Sequence, residues 1–160
     1  MRRAVRVIRK GWFAVGAVED NVVLDFDGRY RRRTMLFTEN RHAVLLDLDN
    51  VTHMRDGEAL VLTDGSLVLI TAKEEPLLEI TAPDPACLIR IAWHLGNRHL
   101  PVQFEFAALR IRADEVIAQM VRGLGGEVHA LSAPFDPEGG AYSHGADAET
   151  IHDPMMDEFA

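Results

Sequence analysis

Between Leu77 and Leu131 the hydrophobic period switches repeatedly between two and 3.6, and the order of the switches leaves few folds open. Leu77-Leu78-Glu79-Ile80-Thr81 reads as a strand. Asp84-Pro85 follows, an N-cap residue with proline at the first helical position. Leu88, Ile89, Ala92, Trp93 and Leu95 then fall at helical spacing, and Gly96 is placed to end the helix. Val102-Gln103-Phe104-Glu105-Phe106 alternates as a strand does, and Ala108-Leu109-Arg110-Ile111-Arg112 is a second strand. A helix is expected from about Asp114 to Leu124, with Val116, Ile117, Met120 and Val121 on one face and Gly123 or Gly125 at its end. Glu127-Val128-His129-Ala130-Leu131 is the last strand. The order β-α-β-β-α-β is the ferredoxin-like pattern, one antiparallel sheet with both helices on one face.

The first half has a different texture. Arg6-Val7-Ile8, Val22-Val23-Leu24, Thr34-Met35-Leu36-Phe37, Ala43-Val44-Leu45-Leu46, Ala59-Leu60-Val61-Leu62 and Leu67-Val68-Leu69-Ile70 are short apolar runs. Asp27-Gly28, Asp56-Gly57 and Asp64-Gly65 mark turns between them, and the last is a hairpin signal. Short strands this close suggest a small sandwich or barrel. The expected class is therefore α+β: a β-rich domain over residues 1–75, a ferredoxin-like domain over 76–135, and a tail over 136–160. The break is placed near Lys73-Glu74-Glu75-Pro76. From Pro134 onward the chain is rich in Pro, Gly and acids, has no period, and is expected to be flexible, at least past Tyr142.

Composition narrows the function. No apolar run nears the ~20 residues that cross a bilayer, and the basic N-terminus lacks the roughly 7–15-residue apolar stretch of a signal peptide. A cytoplasmic protein without membrane partners is expected. The net charge of −8 argues against general nucleic-acid binding. The charge is uneven, however. Residues 1–33 carry nine basic and four acidic side chains, whereas residues 136–160 carry seven acids and no Lys or Arg. A single cysteine, Cys87, excludes an internal disulfide and any multi-cysteine zinc site.

Seven histidines remain as the main metal ligands. His94 and His99 flank the end of the first helix and are five residues apart, about 140° net on a helix, so they do not chelate one ion as a pair. One histidine is a poor site, but a two-fold dimer doubles it, and His144 and His152 on the tail could close over the ion. His42, His53 and His129 lie in or beside strands and read as structural, Cys87 as a small core residue. Arg31 and Arg33 share a strand face, either solvated or a docking patch for an acidic partner. No enzyme motif stands out. Gly123-Leu124-Gly125-Gly126 follows a helix where a phosphate loop would precede one, and no nucleophile sits beside a base, so no catalysis is expected.

Three blocks in order, His94-Leu95-Gly96-Asn97-Arg98-His99, Leu109-Arg110 leading into Met120-Val121-Arg122-Gly123-Leu124-Gly125, and Ala133-Pro134-Phe135-Asp136-Pro137-Glu138-Gly139-Gly140-Ala141-Tyr142, closely resemble the urease accessory protein UreE family. The resemblance covers about residues 77–145, and is looser through Arg31-Arg32-Arg33 and Asp56-Gly57-Glu58-Ala59-Leu60. It implies a homodimeric nickel metallochaperone with a β-rich domain similar to chaperone peptide-binding modules. It also implies a complex with a urease accessory GTPase and the urease assembly machinery. The family's central ligand, shared by both subunits, maps onto His99. Two further histidines of some members are replaced here by Ala113 and Glu115, and the long histidine-rich tail of others is reduced to His144 and His152, so few ions per dimer are expected. His152 is the better tail candidate.

The site expected is His99 from each subunit plus one or both tail histidines. Imidazole nitrogen suits Ni²⁺, but Cu²⁺ should bind at least as tightly and Zn²⁺ comparably. Ligating imidazoles are neutral, so binding should fail below about pH 6. The alternative is a protein-binding adaptor whose β domain holds a peptide and whose metal binding is incidental.

Overall fold

The computed structural model describes residues 1–138. Its first sheet has six strands: β1 (Arg2–Ile8), β2 (Val18–Leu24), β3 (Tyr30–Phe37), β4 (Ala43–His53), β5 (Ala59–Leu62) and β6 (Leu67–Ala72), in the order β2-β6-β5-β1-β4-β3. Every apolar run of the first half lies in one of them. β5 is buried at all four residues, as an uninterrupted apolar run in mid-sheet requires. Val22, Leu36, Val44, Leu46, Leu60 and Ile70 meet in one core, so the sheet curls around its own interior. Its two edge strands approach at the β3–β4 turn, where the Glu39 N–H donates to the Asn21 carbonyl at 2.8 Å. Asp64-Gly65 makes the β5–β6 hairpin, with Gly65 at φ 85° and the Asp64 carboxylate accepting from the Ser66 N–H.

The second sheet holds β7 (Glu74–Thr81), β8 (Gln103–Glu105), β9 (Ala108–Arg112) and β10 (Glu127–Pro134), ordered β10-β7-β9-β8 and antiparallel throughout. Helices α1 (Pro85–Asn97) and α2 (Glu115–Gly123) pack on it through one core that includes Ile80, Leu109 and Ile111 with Ile91, Leu95, Ile117 and Val121. This is the expected βαββαβ arrangement. Lys73 is the one residue between β6 and β7, so the chain passes from sheet to sheet without a loop.

Three local expectations are corrected. Gly96 does not end α1; the helix continues to Asn97. β8 is shorter than the alternating run, because Phe106 and Ala107 form the turn to β9, with Ala107 at φ 56°. Regular structure continues past Pro134, the point from which flexibility is expected: Pro134 pairs with Glu74, Phe135 is fully buried, and Glu138 forms a bridge with Val102.

Phe135 and Asp136 are held by the first sheet. Arg29, fully buried just before β3, donates to the carbonyls of Leu24, Met54 and Phe135 and to the Asp136 carboxylate at 3.3 Å. Arg55 reaches the same carboxylate at 3.3 Å. Phe135 stacks on Phe26 at 5.5 Å between centroids, and the Arg112 guanidinium covers Phe26 at 4.7 Å. Burial pulls the Arg29 pKa below its ordinary value, and Asp136 foremost, with Glu75 and Asp56, offsets that only in part.

Candidate metal centre

α1 starts where the sequence places it. The Asp84 carboxylate accepts the Cys87 N–H at 2.7 Å, and Pro85 takes a first-turn position whose missing N–H costs nothing. Ile91 and Leu95 bury the inner face. Ile89 and Trp93, four residues apart on the outer face, stay 70% and 64% exposed.

The end of α1 is a Schellman motif. The Leu100 N–H donates to the Leu95 carbonyl at 3.3 Å, and the His99 N–H to the Gly96 carbonyl at 3.0 Å. Leu100 packs beside Leu95 in the core, completing the hydrophobic contact of that motif. Its left-handed position is filled by His99, at φ 58° and exposed. Glycine is the usual occupant, and a side chain there costs on the order of 1 kcal/mol. α2 ends the same way, with Gly126 N–H to the Val121 carbonyl and Gly125 N–H to the Arg122 carbonyl, both 3.0 Å, and a glycine, Gly125, at φ 94°. The backbone of His99 is therefore held in a hydrogen-bonded turn at a place where sterics favour no side chain.

His94 lies in the last turn of α1, edge-on to Trp93 at 5.0 Å. Ala113 and Glu115 flank Asp114, which caps α2 by accepting the Ile117 N–H at 3.1 Å. His144 and His152 lie outside the described residues. Among the described residues no three of His, Cys, Asp and Glu gather closely enough to hold a metal ion. The root of the tail is nonetheless close to the His99 turn, since Glu138 bridges Val102 and the Asp136 N–H donates to the Gln103 side chain at 2.9 Å. Sequence reasoning had no sign of this anchor beyond the bare Phe135-Asp136-Pro137 string.

The other histidines have structural neighbours. His42 lies 3.1 Å from the buried Asp20 carboxylate. Burial works to raise the Asp20 pKa, but hydrogen bonds from Thr38, the backbone of Asn21 and Asn40, and His42 outweigh it and bring it to about 2. His53 packs edge-on against Phe26 at 5.2 Å, and His129 stands 3.7 Å from Glu127. Cys87, half-buried against the second core, donates to the Leu124 carbonyl. No described helix is long and apolar enough to cross a membrane.

Two family models match the chain, the N-terminal domain of the UreE urease accessory protein over residues 6–73 and its C-terminal domain over residues 75–157. A urease accessory protein UreE of Rhodopseudomonas palustris strain HaA2 is 59% identical over 124 residues, which cover 78% of this chain and 58% of that protein. One from Bradyrhizobium sp. strain BTAi1 is 52% identical over 149 residues, 93% of this chain and 72% of its own. One from Rhodobacter capsulatus is 42% identical over 155 residues, 97% of this chain and 96% of its own. The chain thus spans less than two thirds of the first of these relatives.

Proposed function

The chain belongs to the UreE urease accessory protein family, and from that premise we propose that it carries Ni²⁺ for assembly of the urease metallocentre, binding the ion through His99 where two copies of the chain meet. The observation that carries this reading is the left-handed capping position of His99. An exposed histidine kept where glycine fits better supports a role in ligand binding.

One imidazole per chain does not hold a divalent ion firmly. A two-fold axis near His99 supplies a second, and the exposed pair Ile89 and Trp93 on the same helix offers an apolar surface for that contact. The tail supplies more donors. His144 is six residues and His152 fourteen residues past Glu138, reaches of about 20 and 45 Å for extended chain. Nitrogen ligands of this kind suit Ni²⁺ and also take Cu²⁺ or Zn²⁺, so supply and partners, including an accessory GTPase and the urease assembly complex, set which ion is delivered. Release proceeds by ligand exchange, the tail histidines leaving first. No catalysis is assigned to the chain. These features suit a cytoplasmic carrier.

The test is calorimetric titration with nickel, wild type beside His99→Ala, with mass measured by light scattering. About one tight ion per two chains, lost in the variant, is expected. Full affinity in His99→Ala would sink the reading. The alternative, an adaptor with incidental metal binding, draws on the exposed side chains of β3. Deleting residues 1–73 does not test it cleanly, because the deletion strips Phe135 and Asp136 of Phe26, Arg29 and Arg55.

A further inference from the structure

β3 is an edge strand that pairs on one side only, with β4. Arg31 and Arg33 are exposed on it, and neither has an ion pair among the described residues. Asp47, opposite Arg33, is taken by Arg3 at 2.6 Å. Charges alone would read as protection of a sheet edge against aggregation. Met35 and Phe37 argue otherwise: they continue the same strand and stand 38% and 69% exposed, apolar surface that protection would not leave open. The edge is basic at one end and apolar at the other.

The chain carries a segment of complementary chemistry. Residues 147–159 hold five acids, Asp147, Glu149, Asp153, Asp157 and Glu158, with Ile151, Met155, Met156 and Phe159 among them, and no Lys or Arg. Their tether starts three residues past Asp136, which is bound to Arg29, the residue immediately before β3. The eight residues from Gly139 to Ala146 span up to about 27 Å, and β3 itself is about 26 Å long, so any part of its edge is in reach. A short tether gives an effective concentration of about a millimolar, so charge pairs and apolar contacts that together reach an intrinsic Kd of about a millimolar hold the segment docked about half the time.

We propose that residues 147–159 dock within the same subunit along the β3 edge, their carboxylates against Arg31 and Arg33 and their apolar side chains against Met35 and Phe37. The docking itself does not depend on the nickel reading.

The test uses the full chain, ¹⁵N-labelled, with a nitroxide at position 158 (Glu158→Cys in a Cys87→Ser background). Loss of amide intensity across Arg31–Phe37 is expected, and it should vanish both in Arg31→Glu/Arg33→Glu and in high salt. The salt arm needs no second folded variant. Absence of broadening on β3, or broadening that survives both charge reversal and salt, would overturn the proposal. Broadening seen only between chains, in a mixture of spin-labelled and ¹⁵N-labelled protein, would overturn the same-subunit assignment.

Discussion

His99 and Gly125 occupy the same position in two copies of one helix-capping motif, at φ 58° and 94°. One copy follows the steric rule and the other breaks it, on two helices that share one core. His99→Gly should therefore stabilise the fold, by about 1 kcal/mol, because relief of the left-handed side chain outweighs the extra freedom of glycine in the unfolded chain. The same change should abolish tight nickel binding. Gly125→Ala should do the reverse, costing about 1 kcal/mol and leaving nickel binding alone. Urea denaturation with parallel calorimetry reads both, and a destabilised His99→Gly would mean that the histidine serves the fold.

Trp93→Glu is expected to weaken self-association by about 2 kcal/mol or more, since it puts a charge into the apolar surface that α1 presents. Light scattering across a dilution series should show monomer at concentrations where the proposed wild-type dimer persists. A dimer of unchanged stability would place the contact elsewhere on the molecule.

Asp136→Ala should cost about 3 kcal/mol, because it removes the carboxylate nearest the buried Arg29 guanidinium. Arg29→Met combined with Asp136→Leu should recover part of the loss, an apolar pair replacing a half-broken ionic one. Denaturant midpoints of the three chains decide the matter. An unaltered midpoint in Asp136→Ala would show that the carbonyl contacts of Arg29 suffice.

Acid stability should depend on Asp20. Its folded pKa of about 2 lies below the ordinary 3.8, so its contribution is present above about pH 4 and is lost as pH falls toward 2. Asp20→Asn should lower stability at pH 7 by on the order of 1–2 kcal/mol and flatten the acid limb between pH 4 and 2. Urea midpoints at several pH values within that window, against pH 7, provide the check.

The βαββαβ half was legible because its periods alternate over a short stretch and its helix starts carry their caps locally, Asp84 with Cys87 and Asp114 with Ile117. The end of α1 was not. A glycine near a helix end invites the reading that it stops the helix, yet Gly96 lies within α1 and the left-handed residue is a histidine, for which the sequence has no marker. The clasp on Phe135 and Asp136 was hidden for another reason. Its partner Arg29 is 106 and 107 residues away, and contacts at that separation leave no period in either stretch. His99 was singled out by resemblance to a family; its unusual backbone was visible only in the fold. His144 and His152 lie beyond the described residues.

The clasp around Arg29 also sets a clock on synthesis. A ribosome adding about 5–20 residues per second makes Arg29 well before Asp136, 107 residues later. From the synthesis of Arg55 until that of Asp136, 81 residues later, the socket between Phe26, Met54 and Arg55 has yet to receive its occupant. It closes when the segment that carries Phe135 and Asp136 has emerged, so an early-made part of the chain is completed by a part made 107 residues later.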